Sequence, residues 1–203
     1  MSKKRLLVVG AGGHGRAVAE AAELSGQFKV VGFLDDSMPA GDTVFGAPVL
    51  GPVVSMASHR PFCDQAIVAI GNNAVREKLM RQLSETGLAL TTVIQPSAFV
   101  SPSATIGKGS AVMAGAIVGT ETRLGVGVII NCGAVVDHHA LVEDFGHLGV
   151  NASMAGGTVL GFGAWMQAGS SLGYGVKIRP GAVISPGEGV DVRSNQHKNE
   201  ERS

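Results

Sequence analysis

An aliphatic residue or methionine recurs at every sixth position from Ile94 to Val190, through Val100, Ile106, Val112 and onward to Leu172, Ile178 and Ile184, without a break. Two positions before each lies a small or β-branched residue, as at Ala98, Ala104, Ala116, Thr122, Val128, Ala134 and Ala140, with Gly146 and Glu188 as the departures. Helices repeat at 3.6 residues and simple strands at two, so a period of six held this long fits neither. It fits a β-solenoid, in which one small and one larger inward side chain per hexad fill a tightly cornered prism and each coil buries its neighbours. Three hexads close a triangular coil of ~18 residues, which predicts somewhat more than five coils. Their stacking distance is that of hydrogen-bonded strands, ~4.8 Å. Because no hexad is interrupted, no loop is expected to leave the wall.

The hexad begins abruptly near residue 94, and the residues before it follow other periods. Arg5 to Gly10 (RLLVVG) reads as a buried strand, GAGGHG as a tight loop and Arg16 to Leu24 as an Ala-rich helix. A second strand, Lys29 to Leu34, ends at Asp35-Asp36. This is the β-loop-α-β opening of a Rossmann-like sheet. The Gly- and Pro-rich stretch from Gly41 to Pro61 reads as an edge segment and turns, and Ala66 to Ile70 as a third buried strand. Ala74 to Glu85 has helical spacing at Val75, Leu79 and Leu83, and Leu88 to Ile94 completes the domain. The predicted organisation is an α/β Rossmann-like domain over 1–93, an all-β solenoid over 94–190 and a polar tail over 191–203. That tail is charged and expected to be mobile.

Sixteen basic residues balance sixteen acidic ones, which argues against a nucleic-acid-binding surface, and no basic run suggests an anionic membrane. Small molecules and copies of the chain itself are the expected partners. Cys63 and Cys132 make a poor disulfide framework and fit a reducing, cytoplasmic compartment. The apolar run near the start is too short for a signal sequence, and nothing approaches the ~18 to 20 apolar residues that span a bilayer.

Two constellations carry chemistry. Gly10, Gly12 and Gly15 satisfy G-x-G-x-x-G, with Asp35 and Asp36 at the end of the second strand. Glycines admit a phosphate close to the backbone, and a helix N-terminus offers it free amides and a positive dipole end. Residues 1–93 suffice for one mononucleotide-binding half with an extra strand but not for two, so a nucleotide diphosphate fits better than NAD. The alternative is a glycine turn that only packs helix on strand. His14 either contacts the phosphate or is satisfied by backbone.

The second constellation is Asn131, Asp137, His138, His139 and His147, three of the six histidines falling within ten residues. Counted from the inward register, His138 follows Val136 by two and His147 precedes Leu148 by one, so both should face outward. One coil above His138 lies the backbone of Ala155-Gly156-Gly157, placing a base beside an amide able to hold an oxyanion. His147 lies half a coil away on another side of the prism; one site using both histidines would lie between subunits. Three readings are open: polar interface residues, a zinc site and general-base acyl transfer. Zinc occurs in carbonic anhydrases built on this type of solenoid, but here the nearest outward pair is nine residues apart and no histidine lies between His59 and His138.

The GxGGHG loop, the double Asp, the turn Ile70-Gly71-Asn72-Asn73, the entry Pro96-Ser97-Ala98 and the hexads carrying INCGAVVDH together resemble the NeuD/PglD-type sugar acetyltransferases. The resemblance spans residue 4 to about 184. It implies a left-handed parallel β-helix and a homotrimer that moves acetyl from acetyl-CoA to the amino group of a UDP- or GDP-linked 4-amino sugar, in glycan biosynthesis, with no metal. It further implies His138 as general base and Gly156 as the amide receiving the thioester oxyanion. Asn131 and His147 would lie near the substrate and Ala168 along the pantetheine arm. Gly12, Gly13, His14, Gly15, Asp35, Asp36, Gly71 and Asn72 would form the nucleotide pocket. O-acetylation of a sialic-acid-type sugar and a non-catalytic nucleotide-sugar-binding trimer are the alternatives. The chain departs from the family pattern at His139, where relatives often carry an acid, and after Ile184, where the hexad pattern is expected to decay.

Overall fold

The computed structural model describes residues 2–192, so most of the expected tail, 193–203, lies outside the described residues. The chain divides into two compact units, one running to Pro96 and including Lys108–Ala111, the other comprising Ser97–Gly107 and the residues from Val112 onward.

In the first unit the strands β1 (Lys4–Val9), β2 (Phe28–Leu34), β3 (Thr43–Val44), β4 (Ala47–Gly51), β5 (Gln65–Val68) and β6 (Ala89–Leu90) form one sheet in the order β3-β4-β2-β1-β5-β6. All neighbours run parallel except the β3–β4 hairpin, whose turn at Phe45 and Gly46 has both φ angles positive. Leu6 to Val9 are fully buried, as expected of an apolar run covered on both faces. From β1 the chain steps outward through β2 to β4 and then returns to β5 on the other flank of β1. The topological switch point, where ligands of such sheets bind, therefore lies between β1 and β5.

Two helical expectations are corrected. Helix α1 spans Gly13–Leu24, so Gly13, His14 and Gly15 form its first turn rather than a loop ahead of Arg16. This is possible because residue 15 is glycine: a Cβ there would collide with the Gly10 carbonyl. Helix α2, Asn73–Glu85, buries Arg76, Met80 and Leu83 instead of Val75 and Leu79, because the Arg76 guanidinium takes the inner face to hydrogen-bond backbone carbonyls. Between β4 and β5 runs a 3₁₀ segment, Val53–Phe62. The single strand expected from Leu88 to Ile94 is two short ones, β6 and β7 (Val93–Ile94), and the second starts the solenoid sheets.

The hexads form two-residue strands, β7 to β23, every six residues from Val93–Ile94 to Gly189–Val190. Among the described residues these make three parallel sheets of six, six and five strands, the walls of a left-handed parallel β-helix. Successive coils pair at a spacing of 18 residues, as in His147 with Trp165 and Val136 with Met154. The inward residues Val118, Ile130, Val136, Val142, Leu148 and Leu160 have no exposed surface. Inward hydroxyls are satisfied by carbonyls: Thr122 donates to Asp137, Thr158 to Ala155 and Ser170 to Gln167. The expected decay after Ile184 does not occur at once: Gly189–Val190 still pairs with Ser171–Leu172, and the Glu188 carboxylate accepts the Ser185 amide.

Most corners place a left-handed residue second, and most of these are glycine, as at Gly127, Gly133 and Gly157. Glu121, His139, Phe145 and Asn151 take that conformation with a side chain, at a cost of roughly 1 kcal/mol each. No helix among the described residues is long and apolar enough to cross a membrane.

Candidate active site

The sheet of β14 (Val135–Val136), β17 (Ser153–Met154) and β20 (Ser171–Leu172) ends at a corner where His138, Gly156 and Tyr174 stand one above another in successive coils. The missing side chain at Gly156 makes room for the imidazole. A Cβ at 156 would collide with the His138 ring, 2.6 Å from Nε2. The Gly156 carbonyl accepts from Gly175, but its N–H has no hydrogen-bond partner among the described residues. A ring nitrogen and an unused backbone donor therefore face the same small gap, roofed by Tyr174 with ring centroids 6.5 Å apart.

His138 is half-exposed. Its backbone N–H donates to Asp137 Oδ1 at 2.7 Å, while its Nδ1 lies 2.9 Å from Nδ1 of His139. Asp137 Oδ2 is 3.7 Å from Nε2, too long for a hydrogen bond. Asp137 thus fixes the backbone of the corner rather than the ring.

Asn131, His147 and Ala168 belong to the other end of the coil. Asn131 and Ala168 sit at the corner on the far side of the β14–β17–β20 wall, and His147 lies on the strand β16 (His147–Leu148) that leads to that corner. His147 faces outward but is only 7% exposed, because its ring stacks beneath Trp165, centroids 5.5 Å apart and planes 19° apart. The Asn131 side-chain oxygen Oδ1 accepts the Cys132 backbone amide. Ala168 is exposed. The outward residues of the intervening wall change from Phe99, Ile117 and Val135 in lower coils to Ser153, Ser171 and Gly189 above, leaving a smooth upper track between the two corners. Among the described residues no group of three or more His, Cys, Asp or Glu side chains converges to hold a metal ion.

In the first unit, the residues expected around a nucleotide follow the C-terminal ends of β1, β2 and β5. Ala69 and Ile70, at the end of β5, pack directly against Gly10, at the end of β1. Gly12 is the N-cap of α1 and supplies no side-chain cap, so the first-turn amides stay available to an anion. Asp35 instead anchors the loop, its carboxylate accepting the Ala11 and Ser37 amides and the Ser37 hydroxyl. Burial raises its pKa, but those hydrogen bonds outweigh it and hold the group below the ordinary carboxylate value. Asp36 accepts the Val53 amide, and Asn72 caps α2 through the Val75 amide. Gly71 is exposed beside them.

Arg76 was not singled out by the sequence, although 76, 80 and 83 are as helical a spacing as 75, 79 and 83. It is fully buried, and its guanidinium donates to the carbonyls of Ile70 and Gly71 and to the Asn73 side chain. Burial lowers its pKa to about 10, so it stays charged and places a cation at the switch point. The His14 Nε2 is buried and without a partner. Burial, with Arg76 adding repulsion, lowers its pKa from 6.5 to about 4. A histidine depressed in this way adds stability above pH 6.5 that is lost as the pH falls toward 4. Melting temperature measured across that range is expected to fall more steeply for the natural chain than for His14→Gln.

Residues 5–83 match the family model described as the PglD N-terminal domain. In structure the chain is similar to perosamine N-acetyltransferase from Caulobacter crescentus, solved as a histidine-to-asparagine mutant with CoA and GDP-perosamine: 33% identity, 94% of this chain, 92% of that one, TM-score 0.89. It is similar also to the acetyltransferase domain of PglB from Neisseria gonorrhoeae, solved with acetyl coenzyme A: 35% identity, 94% of both chains, TM-score 0.87. UDP-N-acetylbacillosamine N-acetyltransferase from Bacillus subtilis is 32% identical over 102 residues, 48% of this chain and 46% of that protein, so the match spans about half of each. A Rossmann-like sheet followed by a hexapeptide β-helix, shared over nine-tenths of both chains at one-third identity, defines the class as hexapeptide-repeat acetyltransferases. The chain belongs to the NeuD/PglD-type sugar acetyltransferase family.

Proposed function

We propose that this chain transfers acetyl from acetyl-CoA to the amino group of a nucleotide-linked amino sugar, with 1–93 as the nucleotide-sugar domain and 94–190 as the acyltransferase domain. The observation that carries the reading is the placement of the His138 ring beneath the unused Gly156 amide. The C. crescentus relative binds CoA and GDP-perosamine, which supplies the substrate class.

Neutral His138 accepts a proton from the sugar amine through Nε2 as the nitrogen attacks the thioester carbon. The Gly156 N–H donates to the carbonyl oxygen as it gains charge. The C–N bond forms, the C–S bond breaks and the proton passes to the departing sulfur. Arg76 and the first turn of α1 attract the diphosphate, and the track of Ser153 and Ser171 admits the pantetheine arm toward Ala168. Asn131 and His147 lie beyond that wall from His138 on one chain, so we assign the complete site to the seam of a homotrimer, each copy lending one corner. Unbridged Cys63 and Cys132 suit a cytoplasmic enzyme.

Thiol release from acetyl-CoA in the presence of UDP- and GDP-4-amino sugars tests the activity, and no turnover with any amino sugar would overturn it. Titrating UDP and GDP against melting temperature identifies the nucleotide, because a ligand of the folded state raises apparent stability. Gly156→Ala is expected to lower kcat by roughly tenfold to a hundredfold with little change in melting temperature, since the added methyl displaces only the imidazole.

A further inference from the structure

Glu121 and His139 occupy the same corner in successive coils, and both hold left-handed φ angles, 56° and 57°, at a position that most coils give to glycine. Their side chains meet. Glu121 Oε2 lies 3.0 Å from His139 Nε2, and His139 Nδ1 lies 2.9 Å from His138 Nδ1. The three groups form an unbroken line running from an exposed carboxylate to the ring beneath Gly156.

Resting on the assignment of His138 as base, we propose that Glu121 and His139 form a positioning relay that fixes the tautomer of His138. The proton order follows from the contacts. An ionised carboxylate only accepts, so His139 carries its proton on Nε2. Neutral His139 then has its lone pair on Nδ1, which accepts the Nδ1–H of His138. That leaves the His138 lone pair on Nε2, beside Gly156. Asp137 cannot take this role, because its carboxylate receives the His138 backbone amide and its other oxygen stands 3.7 Å from Nε2. When Nε2 receives the amine proton, the Glu121 charge stabilises the resulting cation through His139. A single acidic residue beside the base would serve the same end; here a histidine carries the link one coil further.

Glu121→Gly separates positioning from structure, since glycine suits the left-handed corner and its removal of the carboxylate leaves the coil intact. The expected result is kcat reduced roughly tenfold to a hundredfold, unchanged KM for both substrates and a melting temperature no lower than that of the natural chain. Histidine ¹⁵N resonances should show His138 as the Nδ1–H tautomer in the natural chain and gain Nε2–H character in Glu121→Gly. In a His139→Asp background, where the new carboxylate meets His138 directly, adding Glu121→Gly should lower kcat no further. Unchanged kcat in Glu121→Gly, or unmoved His138 resonances, would overturn the relay. The resonances decide it even if the natural chain transfers no acetyl group, an outcome that would count against the proposed reaction instead.

Discussion

His138→Asn is expected to lower kcat for acetyl transfer by ~10² to 10⁴. Asparagine retains polarity and approximate size at the corner, but its amide cannot take up a proton near neutral pH. The attacking amine would then have to lose its proton to water. Because the His138 side chain is half-exposed and belongs to no core layer, its loss should not change melting temperature, and nucleotide binding in the first unit should be unaffected. Gly156 keeps its amide in the variant, so a residual rate above the uncatalysed reaction is expected from oxyanion stabilisation. Single-turnover thiol release is the measurement. A full rate in the variant would remove His138 as base.

Gly15→Ala should be the most damaging small substitution in the first unit. Its methyl would meet the Gly10 carbonyl, and Gly10 cannot retreat because Ala69 O and Ile70 already lie 2.8 and 2.9 Å from its own Cβ position. Helix α1 must therefore lift from β1, at a cost of about 1–3 kcal/mol or more. A lower melting temperature and loss of stabilisation by UDP or GDP are expected together. Gly12→Ala and Gly13→Ala form the contrast, since a Cβ at either meets nothing within 4 Å. Both should melt like the natural chain while losing nucleotide stabilisation, because the new methyl fills the approach of the phosphate. A normal melting temperature for Gly15→Ala would refute the close-packing account of that glycine.

The repeat was legible because its period is a property of the chain. Eighteen residues per coil place Gly156 over His138, and the structure brings the two together. The same count one coil downward puts Glu121 beneath His139. The α/β domain was less legible. The Ala-rich pattern of α1 is plain, but Gly13 and Gly15 read as loop, so the pattern starts three residues after the helix does. For α2 hydropathy points Val75 inward, whereas Arg76 takes the inner face. Arg76 turns inward for a reason no local pattern holds: the carbonyls of Ile70 and Gly71 need donors, and they come close only when β5 meets α2.

By itself the sequence determined the period, and with it the coil, the inward register and the vertical partner of every wall residue, because a constant number of residues per coil makes stacking a matter of counting. It also determined the glycine loop at the end of the first strand. Only the tertiary structure decided which polar atoms are left unsatisfied. The free Gly156 amide, the buried His14 Nε2 and the shared contact of Glu121, His139 and His138 depend on distances of about 3 Å between side chains and backbone, and such distances follow from packing rather than from spacing along the chain.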